Sequence, residues 1–387
     1  MAKGQSARDG LGRVPALDGL RGVAVLLIVV FHTYLDLIPA GGAFASTVEN
    51  PLPGSFLGVD IFFALSGFLI TTLLIEERQK AGRIRTSSFY ARRARRLFPA
   101  LVAMLLATSV YALVADDHAA EQLAGAAPVL FYVGNWSTEL GHSVGPFLTH
   151  TWSLSVEEQF YLVWPLLLSF ALVSARRTRF FGATVGLVLV AITVYRAAVW
   201  EPNTVTIGRL YVGTFTHCDA LLVGAAGAYV WSRRPLPVKR LPALASIATA
   251  VLVLFVVLVA EPDRVLYVGG FAVVGLATVV VIFACLQPGW RGATVLSWRP
   301  LRALGVVSYG IYLWNYPIFV IVRMQGRDWS AGARVLVAYG LTAVVVLLSW
   351  HLVEQPFLRV KASMGTRDAT KPRRARLAPT STVPDRS

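Results

Sequence analysis

The run RGVAVLLIVVFH (21–32) joins an arginine to a histidine across nine consecutive apolar residues. Eleven helical positions are three turns plus about 20°, so Arg21 and His32 share one face, separated by about 16 Å along the axis. A histidine at that depth can take a proton from a hydroxyl or carry a group as a nucleophile. Alone, Arg21 reads as an interfacial anchor and His32 as an interhelical hydrogen bond. Their common face favours a joint role, because ionisable groups in a span turn toward a cavity or a partner. A second cluster, Arg92, Arg93, Arg95 and Arg96, lies in SSFYARRARRLFPAL (87–101). Arg93 and Arg96 share a face at i, i+3. Anchoring needs only part of this charge, and a phosphate-rich ligand gripped by guanidinium groups accounts for the excess.

Three further stretches place polar chemistry in apolar surroundings. HTWSLSVEEQFYLVWP (150–165) brings Trp152, Ser153, Glu157, Glu158, Gln159 and Tyr161 to the mouth of a span, with Glu157 and Tyr161 one turn apart. Charges at a helix N-terminus explain the two glutamates in part, but the company of an amide, a phenol and indoles reads as a polar pocket. GVDIFFALSGFLIT (58–71) opens with Asp60, a candidate partner for a histidine, and carries Ser66-Gly67, a small pair suited to close helix packing. SYGIYLWNYPIF (308–319) sets Ser308, Tyr309, Tyr312 and Asn315 within a span, where an aromatic belt accounts for the rings but the serine and asparagine need partners.

The elements that must position these groups are membrane helices. The chain of 387 residues is 56% hydrophobic and 15% charged, with a mean hydropathy of +0.61, and continuous apolar runs of about 20 residues recur, which excludes a β-barrel pattern. Windows of about 19 residues give ten spans, near 20–38, 56–75, 97–115, 156–175, 181–199, 211–231, 241–260, 265–286, 303–322 and 332–352. With a cytoplasmic N-terminus, 30 of the 36 Lys and Arg fall inside and 5 outside, so both termini are expected in the cytoplasm. The net charge of +15 is topology control and not a nucleic-acid surface. Two cysteines, Cys218 and Cys285, each within an apolar run, give neither a disulfide framework nor a metal site. The expectation is an all-α polytopic membrane protein of about ten transmembrane helices, multi-pass in a bacterial cytoplasmic membrane.

The apolar piece LAGAAPVLFYVGNW (123–136) is too short for a span and contains Pro128, so it is expected as a re-entrant or interfacial segment. Residues 1–19 read as a cytoplasmic lead, 20–357 as one membrane domain and 358–387 as a basic cytoplasmic tail without fixed structure. Arg8, Arg13 and Arg21 ahead of an apolar run, with Ala43-Phe44-Ala45 downstream, also imitate a secretory signal. The length of the run, with His32 and Asp36 in it, favours a retained span.

Taken in order, Arg21–x10–His32, GVDIFFALSGFLIT, the Arg93–x–x–Arg96 pair, TWSLSVEEQFY and SYGIYLWNYP resemble the acyltransferase-3 family of integral-membrane O-acyltransferases, over about residues 16 to 357. The resemblance implies transfer of a short acyl group from cytoplasmic acyl-CoA, a co-substrate, to a hydroxyl, with no bound cofactor and no metal. It implies that Arg21, Arg93 and Arg96 bind the CoA phosphates and that His32 is the general base or a covalent acyl carrier, the base being favoured. Glu157, or failing that Asp60, would orient His32. Trp152, Ser153, Glu158, Gln159, Tyr161, Ser308, Tyr309 and Tyr312 are expected around the acceptor or the oxyanion. Many relatives carry a histidine where this chain has Asn315. Some continue into an extracytoplasmic hydrolase-like domain, whereas this chain ends about 30 residues after its last span, so the membrane core is expected to act alone or with a separate partner.

Two other classes compete: a lipid or glycan transporter, against which no inverted repeat stands out, and a non-catalytic subunit that presents acyl groups. The acceptor is open between an envelope saccharide and a hydroxylated small molecule such as a macrolide antibiotic. A composition rich in Ala, Val and Arg but poor in Lys points to a high-GC bacterium and keeps antibiotic tailoring among the expectations.

Overall fold

The computed structural model describes residues 12, 14–38, 50–115, 118–233 and 239–358. The cleavage-like Ala43-Phe44-Ala45, most of the N-terminal lead and all but the first residue of the C-terminal tail lie outside these. Among the described residues every regular element is helical: α1 (Pro15–His32), α2 (Gly58–Ala81), α3 (Thr86–Ala115), α4 (Ala119–Leu130), α5 (Gly134–Glu139), α6 (Trp152–Ala171), α7 (Ala175–Val199) and α8 (Thr204–Val212). There follow α9 (Thr214–His217), α10 (Asp219–Arg233), α11 (Leu241–Leu258), α12 (Phe271–Cys285), α13 (Arg291–Leu296), α14 (Arg299–Val306), α15 (Ser308–Gln325) and α16 (Ala331–Leu348).

By length and composition seven of these can cross a membrane, or eight if α14 and α15, bent by 72°, count as one span. Ten windows therefore overstate the long apolar helices, for two local reasons. In α6 the first turns hold Glu157, Glu158 and Gln159. The window 211–231 runs across breaks at Gly213 and Cys218, so that α8, α9 and α10 replace one continuous helix. The segment near 123–136 is likewise two helices: α4 stops at Leu130, Tyr132 takes a left-handed φ of 55°, and α5 starts at Gly134.

Burial sorts the helices into a centre and a lipid-facing rim. In α2, 78% of the apolar window is buried, against 17% in α7. Leu187, Val190 and Val194 on α7 are exposed, a surface that lipid solvates as well as the core would. At the centre, backbones touch through glycine. A Cβ on Gly67 would stand 2.0 Å from the Leu221 carbonyl oxygen, and one on Gly224 at 2.0 Å from that of Ala64, so α2 and α10 meet at reciprocal small residues. Helix α1 lies as closely on α14, where a Cβ on Gly305 would be 1.7 Å from the Asp18 oxygen and one on Gly22 2.1 Å from that of Leu301. A Gly305→Val variant is therefore expected to lose most of its folded, monodisperse yield in detergent, checked by fluorescence-detected size exclusion. Overpacking a close contact costs about 1–3 kcal/mol or more.

One buried ionic knot ties α2, α7, α8, α9 and α10 together. Arg196, the charged residue of α7 that points inward, is fully buried; it reaches Asp219 Oδ2 at 2.7 Å and donates to the Thr216 carbonyl at 2.9 Å. His217 sits at 3.0 Å from Asp60 Oδ1 through Nε2 and donates from Nδ1 to the Tyr211 carbonyl at 2.6 Å. A carbonyl can only accept, so one proton is held between Nε2 and the Asp60 carboxyl. The breaks flanking α9 thus serve to aim His217 inward.

Candidate functional site

A cavity of about 340 Å³ lies among α1, α2, α3, α6 and α15. Its mouth is lined by Asp18, Arg21, Arg96 and Arg93, its walls by Phe62, Phe63, Leu65, Leu69 and Ile70, and its inner end by Ile28, Ser153 and Tyr312. The order follows from helix direction. Helix α1 passes from Arg21 to His32 while α15 passes from Ser308 to Asn315, and His32 meets Asn315, so the two run in the same sense. Helix α6 runs opposite, bringing Ser153 beside Tyr312 and Glu157 beside Arg93.

At the mouth the three arginines differ. Arg93 is held: its Nε donates to Glu158 at 2.7 Å, its Nη2 lies 2.6 Å from the same carboxylate, and its guanidinium covers the Tyr161 ring at 3.3 Å. Arg96 is exposed. It lies close enough to Arg21 for the two charges to oppose each other, which an anion between them would relieve. Glu157 is bonded to Ser66 and Tyr161, Tyr161 donating to it at 2.6 Å. Ser66 is thus a polar group of the cavity wall, while its neighbour Gly67 makes the helix contact; the sequence reading gave both to packing. Ser308 also faces the cavity, fully buried, with its hydroxyl unpartnered.

At the inner end Tyr312 donates to the His150 carbonyl, and its hydroxyl is 2.5 Å from that of Ser153. His32 lies one turn beyond Ile28 and does not line the cavity itself. Its Nδ1 is 2.6 Å from Asn315 Oδ1. The amide nitrogen of Asn315 donates to the Ile311 and Tyr312 carbonyls at 2.6 and 2.9 Å. That fixes the amide oxygen toward His32, so Nδ1 carries the proton and Nε2 is left with its lone pair. The Tyr316 ring lies 5.0 Å from His32 and 4.8 Å from the buried His150.

Several expected neighbours are placed elsewhere. Neither Glu157 nor Asp60 is the hydrogen-bond partner of His32: Glu157 stays with Ser66 and Tyr161 at the arginine end, and Asp60 belongs to His217. Asn315 takes the orienting position instead. The physical reason is direction: α6 runs opposite to α1, so Glu157, one turn beyond Ser153, is carried back toward the arginine end. Trp152 packs on Tyr211 and His217, with ring centroids 4.7 and 5.3 Å away, behind Phe63. Glu158 is the counter-ion of Arg93. Gln159 bonds the Tyr132 carbonyl, Asn135 and Thr214, at 2.8, 3.0 and 2.5 Å, and so secures the α4–α5 and α8–α9 breaks. Arg21, Arg93, Arg96, Ser153, Glu157, Tyr161, Ser308, Tyr309 and Tyr312 do line one cavity. His150 and Asn315 were not assigned from sequence; the need of a buried amide for partners was the one signal. No group of three or more metal-binding side chains occurs among the described residues.

The model of the acyltransferase domain (acyltransferase-3) matches residues 14–354. The chain belongs to that family. Within the family it is 34% identical to the putative peptidoglycan O-acetyltransferase YrhL of Bacillus subtilis over 365 residues, 89% of this chain and 54% of that protein. It is 32% identical to the peptidoglycan O-acetyltransferase OatA of Listeria monocytogenes and 31% identical to the O-acetyltransferase OatA of Staphylococcus aureus, covering 55% and 57% of those proteins. The chain thus spans about half the length of these acyltransferase-3 relatives. No solved structure gives a significant match. As a member of this family, with several helices apolar enough to span a bilayer, it is a membrane protein.

Proposed function

We propose that this protein is a membrane O-acyltransferase that moves an acetyl or similarly short acyl group from acyl-CoA to a hydroxyl of an envelope saccharide. The saccharide reading leans on the relatives named for peptidoglycan O-acetylation; a macrolide-like acceptor has no comparable support. The observation that carries the proposal is the polarity of one path: guanidinium groups at the cavity mouth, apolar walls, and past its inner end a histidine whose Nδ1–H is held by Asn315, which makes Nε2 the basic nitrogen of the neutral ring. The excess of arginine and lysine around the mouth supports a cytoplasmic placement of that end.

In this reading Arg96 and Arg21 take the phosphates of CoA, and Arg93, already neutralised by Glu158, braces Glu157 and Tyr161. The pantetheine arm lies along the apolar walls and carries the thioester toward His32. The acceptor hydroxyl attacks the thioester carbon, its proton passing to His32 Nε2, and the C–S bond then breaks. The same nitrogen returns the proton to the departing thiolate, leaving ester and CoA thiol with no net proton exchanged. Asn315 cannot accept a proton, so relay through Nδ1 is closed and the return through Nε2 is the available route. Ser153, at the inner end, is placed to turn its hydroxyl from Tyr312 to the developing oxyanion, while the Tyr312 proton stays on the His150 carbonyl.

The test is turnover of labelled acetyl-CoA by purified protein in nanodiscs with a panel of saccharide and macrolide acceptors. Ester formation supports the proposal; folded protein that releases no CoA while moving a glycan across liposomes makes it a transporter. Arg96→Ala is expected to weaken CoA binding about tenfold or more, the loss of a charge-assisted phosphate contact, measured by equilibrium binding.

A further inference from the structure

Beyond His32 the first helix changes pitch: Thr33–Leu37 forms a π-helical turn, closed by the Ile38 amide on the Thr33 carbonyl at 3.1 Å. Such turns recur at functional sites because they re-aim side chains at a cost in regularity. Here the turn brings Asp36, four residues past His32, into the protein. Asp36 is 1% exposed, and its Oδ1 pairs with Arg323 at 2.7 Å. Its Oδ2 is buried with no hydrogen-bond partner. Arg323 lies at the other end of the pair, 45% exposed, on the helix that carries Asn315. The Tyr316 ring stands between this pair and the His32–His150 rings, with its hydroxyl bonded to Thr149 and both charges within electrostatic reach. Thr33 adds a hydroxyl, 2.9 Å from that of Tyr339.

A structural tie between α1 and α15 needs one carboxylate oxygen. It leaves unexplained why the other is buried without a protein partner, which is costly for a charged group. The pair is also on the side of His32 away from the arginine mouth, so it is separated from any phosphate-bearing donor.

We infer that Asp36 and Arg323 form the acceptor-hydroxyl subsite, in which one hydroxyl of a saccharide donates to Asp36 Oδ2 and a neighbouring hydroxyl accepts from the Arg323 guanidinium. This rests on the acyl-transfer reading and adds to it the side of entry and the ligand class. Because the pair is neutral as a whole, it selects a neutral vicinal diol over an anionic acceptor. Tyr316 offers a ring face beside it, and a third hydroxyl of the same sugar is directed at His32 Nε2, one turn back.

The test uses the full-length protein in nanodiscs with labelled acetyl-CoA, a soluble N-acetylglucosamine oligomer as probe, and its monodeoxy analogues. The readout is the partition of acetyl groups between sugar ester and free acetate. In Asp36→Asn the ester-to-acetate ratio is expected to fall about tenfold, the loss of one charge-assisted hydrogen bond, with acceptor KM raised and preference for the parent over one deoxy analogue erased. Arg323→Gln should erase preference over a different deoxy analogue. Overturning results are ester and acetate falling in step, as a displaced His32 would give, or an unchanged acceptor KM and deoxy pattern. Wild-type protein that forms neither ester nor acetate from acetyl-CoA refutes the acyl-transfer reading itself, and the subsite falls with it. A folded but inactive Asp36→Asn is resolved by equilibrium binding of the oligomer without donor: binding as tight as wild type refutes the subsite, weakened binding supports it.

Discussion

Replacing His32 by alanine is expected to lower kcat for acyl transfer by about 10²–10⁴, the range general acid–base catalysis contributes. The reasoning is specific to this site. The other buried histidines have settled partners: His217 is shared between Asp60 and the Tyr211 carbonyl, and His150 bonds the Leu313 carbonyl through Nε2. His150 Nδ1 also lacks a partner but is enclosed by protein, whereas His32 follows one turn after Ile28 at the inner end of the cavity, with its tautomer set by Asn315. CoA binding should persist in the variant, because Arg21 is about 16 Å away along the helix and Arg96 is on another element. The decisive pair of measurements is therefore turnover and equilibrium CoA binding on the same preparation. If alanine at 32 turns over like wild type, the base lies elsewhere, and if CoA binding collapses with turnover, His32 acts through structure. The orienting residue gives a graded companion: Asn315→Leu should reduce kcat with little change in CoA binding, since it frees the tautomer without removing the base.

The largest effect on stability is expected from Arg196→Ala. Its guanidinium is fully buried between Asp219 and the Thr216 carbonyl, beside the Phe271 ring at 5.1 Å. Removing it leaves Asp219 charged, dry and alone, a loss of about 3–5 kcal/mol for breaking one side of a buried pair. The outcome should be a large drop in the thermal midpoint of detergent-solubilised protein and loss of the fixed α9 turn that presents His217. Taking both partners away, as Arg196→Met with Asp219→Leu, should recover much of that midpoint, because an apolar pair of similar volume carries no unpaired charge. A double variant as unstable as the single one would mean that the contact with the Thr216 carbonyl, not the ion pair, carries the knot.

How much of the site was legible follows from the range of each interaction. Arg21 and His32 belong to one helix, and their common face depends on nothing but helical pitch; the same holds for Glu157 and Tyr161, which are bonded to one another as their spacing suggested. The membrane class followed from hydropathy for a similar reason, since each apolar run reports on its own solvent. The span count did not follow so closely, because a window averages over a break. Gly213 and Cys218 interrupt what reads as one run, and the three glutamate and glutamine residues of α6 are tolerated only because Arg93, Ser66, Asn135 and Thr214 receive them.

Partnerships between helices were beyond reach of local rules. Asp60 and Glu157 were both plausible companions for His32 by chemical type, yet helix direction sends one to His217 and the other to Ser66 and the arginine end. Asn315, which by sequence only needed partners, became the residue that fixes the base, through contacts with carbonyls three and four residues back on its own helix and with a ring 283 residues away in sequence. Asp36 gained meaning only when Arg323 was found to take one of its oxygens and nothing the other. The sequence by itself determined what is periodic and local: membrane helices, the arginine asymmetry, the shared face of Arg21 and His32, and the ordered motifs of the acyltransferase-3 family. The tertiary structure alone decided which buried polar group answers which, because a helix sets the spacing of its own side chains but packing and direction choose the neighbour each one meets.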